Sequence, residues 1–113
     1  KEVMDAFPGA RKFADFRVML DQMGDDIDAV SVVTPDHVHF VQTIEAMRRG
    51  KHVYVEKPLT HSFREAALLI QAEKRYGVVT QMGNQGHTSP GARQFKQLQL
   101  AGALDDIVKI EAI

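Results

Sequence analysis

Apolar positions along the chain change period several times. Phe16, Met19, Leu20 and Met23 recur at helical spacing behind Asp15, whose carboxylate suits a helix N-cap, and Gly24 supplies a stop. Residues 27–33 (IDAVSVV) are a nearly unbroken β-branched run, which suits a central strand of a parallel sheet, buried on both faces. Thr34-Pro35-Asp36 ends it. Asp36 is placed to cap a helix over 37–49, with Phe40, Val41, Ile44 and Met47 on one face, Arg48 and Arg49 in the last turn and Gly50 closing it. Residues 52–55 (HVYV) predict the next strand. Ser62 and Glu65 have capping-box spacing and open a helix that runs to Tyr76 and ends at Gly77. A strand over 78–82, a Gly-rich turn over 83–87 (GNQGH), and a helix over 91–101 ending at Gly102 follow. Residues 107–113 (IVKIEAI) alternate, as a half-buried antiparallel strand does. At the other end, residues 1–6 read as a short helix, Phe7-Pro8-Gly9 as a break, and 10–14 as a short strand. The methionines and phenylalanines sit at core spacing.

Strand and helix alternate with short connections, which is the signature of right-handed βαβ crossovers and a mostly parallel α/β sheet. The switch to period two near residue 107 points to a second domain. Composition narrows the function classes. The chain has 113 residues, 44% apolar and 26% charged, with 14 Lys plus Arg against 15 Asp plus Glu and a net charge of −1. There is no basic excess to hold nucleic acid and no apolar run of the roughly 18 residues that span a bilayer. With no cysteine, thiolate chemistry is excluded. The five histidines lack ligand spacing, so no metal site is expected.

In open parallel sheets, ligands bind at the carboxyl ends of the strands. Polar residues gather at those ends here: Thr34 to His39 after one strand, Glu56-Lys57-Pro58 after the next, Asn84-Gln85-Gly86-His87 after the third. By position alone Lys57 reads equally well as an exposed lysine after a strand or as a group that donates to a substrate hydroxyl. Thr34 and Pro35 serve turn chemistry in any case. His37 reads as solvent-exposed, and His52 and His61 as structural.

The stretch from Ile27 to Leu59 resembles the central part of the glucose–fructose oxidoreductase, inositol dehydrogenase and MocA (Gfo/Idh/MocA) family. Thr34, Pro35, His39, Gly50, Lys51, His52, Val53, Glu56, Lys57, Pro58 and Leu59 match its pattern in register, and a weaker likeness covers nearly the whole chain. The resemblance implies the second half of a Rossmann-type nucleotide-binding domain over residues 1–85, leading into an α+β substrate domain from 86 to 113. The chain begins at Lys1 and carries neither the family's G-x-G-x-x-G loop nor its downstream Asp and His pair, so it reads as an internal fragment.

What the resemblance implies is an NAD(P)-dependent oxidoreductase that moves a hydride between nicotinamide and a sugar, cyclitol or related polyol. Lys57 is then the catalytic residue and also contacts substrate. Thr34, Pro35, His39, Glu56, Lys57, Pro58, Asn84 and Gln85 contact the cofactor, NAD or NADP, and His87 contacts substrate. The Lys57–Pro58 bond is often cis in the family. A small-molecule substrate, a homo-oligomer and a cytoplasmic location are expected, with no nucleic-acid or membrane partner. Where family members often carry an Arg-Arg pair before an aromatic and Pro, this chain has Gly86-His87-Thr88-Ser89-Pro90, so substrate identity is not carried over. A glycosidase that uses NAD transiently and a non-enzymatic nucleotide-binding sensor are the two alternatives on the same fold.

Overall fold

The β-branched segments meet their partners through the helices between them. The computed structural model describes residues 5–111. Three strands, β1 (Ala29–Val32), β2 (His52–Glu56) and β3 (Thr80–Gly83), form one parallel sheet in chain order. Helix α1 (Phe16–Met23) precedes β1, α2 (His39–Arg48) joins β1 to β2, α3 (Phe63–Tyr76) joins β2 to β3, and α4 (Pro90–Leu100) follows β3. The chain divides into two compact units, Lys1–Met82 and Gly83–Ile113, a few residues before the boundary expected from sequence.

Strands β1 and β2 pair in parallel, Ala29 with His52 through Val32 with Val55. Their side chains alternate across the pleat. Val32, Val53 and Val55 turn to the helical side and are buried with Ala46 and Met47 of α2, Leu69 and Ala72 of α3, and Val78. Met47 and Val55 are fully enclosed, and burial of a side chain of that size stabilises the fold by about 1.5–3 kcal/mol. Both crossovers step in the same direction along the sheet, so α2 and α3 pack side by side on one face and against each other. The other face is open among the described residues: Ala29, Ser31, His52, Tyr54 and Val79 are exposed. This corrects the expectation that β1 is buried on both faces.

Local chemistry sets the helix ends. Asp15 caps α1, accepting from the Arg17 backbone N–H at 2.9 Å, and its carboxylate also takes the Arg17 guanidinium. Ser62 caps α3, accepting from the Glu65 N–H at 3.2 Å, and Glu65 Oε2 accepts from the His61 N–H at 2.9 Å. That is a capping box with its return bond moved one residue upstream. Gly77 ends α3 at φ 65°, a left-handed conformation that side chains with a Cβ resist.

Gly24 is the C-cap of α1, as expected, at φ −52° and so outside the left-handed region, and it leads into a tight turn, Gly24–Asp26. Other expectations change. Asp36 does not cap α2. It opens a 3₁₀ turn, Asp36–Val38, in which the Val38 N–H donates to the Pro35 carbonyl, and the α-helix begins only at His39. Residues 10–14 form no strand, and 107–111 form none, because no neighbouring strand offers either of them a ladder among the described residues. The helix expected over 1–6 and the end of the strand expected over 107–113 lie partly outside the described residues. Phe63, at 97% exposure, along with Phe7 and Phe95, is not core. In α3 the buried stripe runs through Leu69 and Ala72, and Phe63 falls on the far side of it.

Ion pairs fasten α1 to α2 at the surface. The Arg49 guanidinium bridges Asp21 and Glu45, which raises its pKa further above the ordinary arginine value, and Lys51 Nζ donates to the Gly24 carbonyl at 2.6 Å. Half-exposed pairs of this kind contribute little individually.

Candidate active site

The ladder between β1 and β2 relates residues 23 positions apart, Ala29 to His52 and Val32 to Val55. The same offset carried beyond the ladder matches Thr34 with Lys57 and Pro35 with Pro58. Two chain segments that leave adjacent strands at their carboxyl ends therefore carry the residues singled out by sequence. Prolines cannot donate from the backbone, and Pro35 and Pro58 at equivalent offsets help end the pairing there.

His39 joins these two segments. It is the first residue of α2 and has no exposed surface. Its Nε2 lies 2.7 Å from the Thr34 carbonyl oxygen and its Nδ1 lies 2.7 Å from the Pro58 carbonyl oxygen. A carbonyl only accepts, so each contact is closed by a ring N–H: one at a time in the neutral ring, both in the imidazolium. With both ring nitrogens occupied by the chain itself and no surface open, His39 has no polar atom left for a cofactor. The expectation that it contacts the cofactor is corrected to a role inside the protein.

The remaining expected residues sit as follows. Thr34 is exposed and its hydroxyl donates to Gln42 Oε1 of α2 at 2.7 Å. Pro35, Lys57 and Pro58 are exposed, and Glu56 is half-buried at the end of β2. The Lys57–Pro58 peptide is cis. Lys57 forms no ion pair among the described residues, so its ammonium is presented to solvent at the carboxyl edge of the sheet. Asn84, Gln85 and His87 belong to the second unit. They are exposed on and beside the turn Gln85–Thr88 that follows β3, where the His87 N–H donates to the Asn84 carbonyl at 3.0 Å. His37 is exposed. His52 is structural, its Nδ1 accepting from the Val79 N–H at 2.9 Å between β2 and the approach to β3.

The donors and acceptors at the ends of β1 and β2 fit the polar edge of a nucleotide cofactor. They comprise an exposed hydroxyl, a half-buried carboxylate and an exposed ammonium, each set by a strand end. The chain carries no glycine-rich loop of the kind that holds a pyrophosphate. A concavity of about 660 Å³ lies along residues 11–17, Met19 and Gln42 and is not lined by Lys57. The sequence singled out His39 but not its two carbonyl partners.

Comparison with known proteins agrees with this architecture. Residues 1–84 match the model of an oxidoreductase family with an NAD-binding Rossmann fold. The chain is 35% identical over 80 residues to a 4-carboxy-2-hydroxymuconate-6-semialdehyde dehydrogenase of Sphingobium sp., covering 71% of this chain and 25% of that protein. It is 37% identical over 78 residues to the scyllo-inositol 2-dehydrogenase (NAD(+)) of Bacillus subtilis, covering 69% and 23%. Among solved structures, an inositol dehydrogenase homolog from Azotobacter vinelandii, complexed with NADH and myo-inositol, aligns with a TM-score of 0.68 at 30% identity, covering 81% of this chain and 25% of that one. A 3-ketoreductase from Actinomadura kijaniata, in complex with TDP-benzene and NADP, aligns with a TM-score of 0.76 at 29% identity, covering 89% and 31%. The chain thus spans about a quarter of the length of the curated relatives it matches. With its parallel sheet, its Thr-Pro and Glu-Lys-Pro strand ends and this match over most of its length, the chain belongs to the Gfo/Idh/MocA family of oxidoreductases with an NAD-binding Rossmann fold.

Proposed function

We propose that the protein is an NAD(P)-dependent oxidoreductase that acts on a carbinol or carbonyl carbon of a sugar, cyclitol or related polyol. The observation that carries the reading is the exposed Lys57 just past the carboxyl end of β2, with Thr34 just past that of the adjacent β1. Relatives with names such as scyllo-inositol 2-dehydrogenase and 1,5-anhydro-D-fructose reductase support the substrate class. On this reading residues 1–85 are the nucleotide-binding part and 86–113 begin the substrate domain.

When bound, the nicotinamide supplies the hydride acceptor or donor. The chain's own residues do the rest. Lys57 donates a hydrogen bond to the reacting hydroxyl oxygen and helps move its proton. Thr34, Pro35, Glu56 and Pro58 shape the edge against which the nicotinamide end rests. Asn84 and Gln85 serve the cofactor and His87 the substrate from the turn after β3.

Lys57→Met tests the assignment, because it keeps an apolar stem and removes the ammonium. In the complete protein, with NAD+ and myo- or scyllo-inositol, kcat is expected to fall by about 10²–10⁴, the range for an acid–base group. Cofactor Kd, measured by quenching or calorimetry, is expected to change little. A kcat within about threefold of wild type, on the order of 0.7 kcal/mol, removes Lys57 from the chemistry. A loss confined to cofactor Kd would make it a binding residue.

A further inference from the structure

We propose that His39 is the positioning residue of this site: from the buried start of α2 it clamps the segments after β1 and β2 by their carbonyls and so fixes where Lys57 presents its ammonium. The inference rests on the reading of Lys57 given above.

The β1–β2 ladder ends at Val32 and Val55, and both following segments contain a proline without an N–H, Pro35 and Pro58. Among the described residues no backbone hydrogen bond joins the two segments directly. Among the described residues, the partner that the structure gives both the Thr34 and the Pro58 carbonyls is the His39 ring. The imidazole of His39 places a nitrogen 2.7 Å from each, on opposite sides of one rigid ring. The neutral ring donates to one of the two carbonyls at a time and the imidazolium to both, so one compact residue serves both segments; the amide of Asn or Gln carries both protons on one nitrogen. Full burial holds the ring in place, with Thr43 and Met47 enclosed on the same helix. Lys57 lies between the clamped Pro58 and the end of β2, so the segment that carries the ammonium is tethered on both sides. A register set by two tethers is what a reacting group needs, since a misplacement of about 1 Å costs about 10² in rate.

The test compares His39→Leu, His39→Gln, Met47→Ala and Lys57→Met in the complete protein, with NAD+ and myo- or scyllo-inositol as probes. Met47→Ala is the control for lost core packing on the same helix. His39→Leu is expected to lower kcat by about 10- to 100-fold while cofactor Kd stays within about threefold. His39→Gln, which restores one donor, should recover part of the loss. Met47→Ala should retain kcat at a temperature where both proteins are folded. Hydrogen exchange gives a readout independent of turnover. In wild type the amides of residues 36–38 and 59–61 should open together; in His39→Leu both should lose protection while residues 53–55 keep theirs. If His39→Leu lowers kcat no more than Met47→Ala, the proposal is overturned. Should the His39 variants fail to fold, independent opening of the two segments in wild type overturns it, and joint opening supports it. Unchanged kcat in Lys57→Met with joint opening refutes the role of Lys57 and leaves the clamp standing.

Discussion

Thr43 offers the sharpest test of how the core is built. It lies in the middle of α2, 1% exposed, and its hydroxyl has no hydrogen-bond partner among the described residues. A buried hydroxyl left unpaired costs about 1–3 kcal/mol in lost hydration. Thr43→Val replaces that oxygen with a methyl of nearly the same shape, and burying one more such group contributes about 0.8 kcal/mol. Threonine and valine have similar helix propensities, so the backbone cost is unchanged. Allowing for imperfect fit in a filled core, the variant should be more stable by about 1–2 kcal/mol. In a unit of this size each kcal/mol raises Tm by about 4–8 °C. Urea unfolding followed by far-UV circular dichroism reads the effect directly: the midpoint should rise while the slope m stays constant. Thr43→Ser, which keeps the hydroxyl and discards the methyl, should move the midpoint down by about 1 kcal/mol. A lower midpoint for Thr43→Val would refute the reasoning, because it would mean that the hydroxyl is satisfied in solution.

Three further outcomes follow from the helix ends. Ser62→Ala should cost about 1 kcal/mol, the usual loss for an N-cap, and an unmoved denaturation midpoint would show that Ser62 does not hold the start of α3. Gly77→Ala should cost about 1 kcal/mol through backbone strain alone, since φ is 65° and no atom lies within 4 Å of the added methyl; Gly77→Asn should cost less, and equal costs would implicate packing instead. The Asp15 carboxyl is lowered from 3.8 to about 2, first by the side-chain hydrogen bond from Arg17 and next by the Arg17 backbone N–H. Its contribution is therefore complete above its unfolded pKa and lost as pH falls from about 4 towards 2. Asp15→Asn should flatten stability against pH in that window, and a curve parallel to wild type between about pH 5 and 2 would sink the assignment.

Much of the fold was legible because it depends on local patterns. Asp15 and Ser62 announced two helix starts, Gly77 a helix end, and the runs at 27–33 and 52–55 the strands β1 and β2. What the pattern missed depends on partners. Residues 10–14 and 107–111 have strand composition, but a strand exists only where another one completes its hydrogen bonds. The apolar run of β1 suggested two covered faces, yet only the side of Val32 meets helices. Asp36 had the chemistry of a cap and lost the position to a 3₁₀ turn set by Pro35. At the candidate site, Thr34, Glu56 and Lys57 were singled out by their places at the strand ends, which the structure places there. The carbonyl partners of His39 were hidden, because a histidine in a motif looks alike whether it faces a ligand or two carbonyls of its own chain. Distance and burial separate the two, and neither can be read from a single sequence.

The even spacing of the strands has a consequence for how the chain assembles. Ala29 meets His52 23 positions on, and the Val53 N–H meets the Val79 carbonyl 26 positions on. The entropy of closing a loop grows only with the logarithm of its length, so these two closures cost almost the same. A direct closure from β1 to β3 is never required, since β2 lies between them. Each crossover also contains a helix that shortens the flexible span, α2 in the first and α3 in the second. These three strands can therefore pair one after another in chain order. On a ribosome adding about 5–20 residues per second, β1 and β2 are free to zip together within seconds of leaving the exit tunnel, before α3 is finished. The clamp by His39 would close in that same first step, because Thr34, His39 and Pro58 all belong to the first crossover and its end. The edge that presents Lys57 is thus laid down early in folding, ahead of β3 and α4.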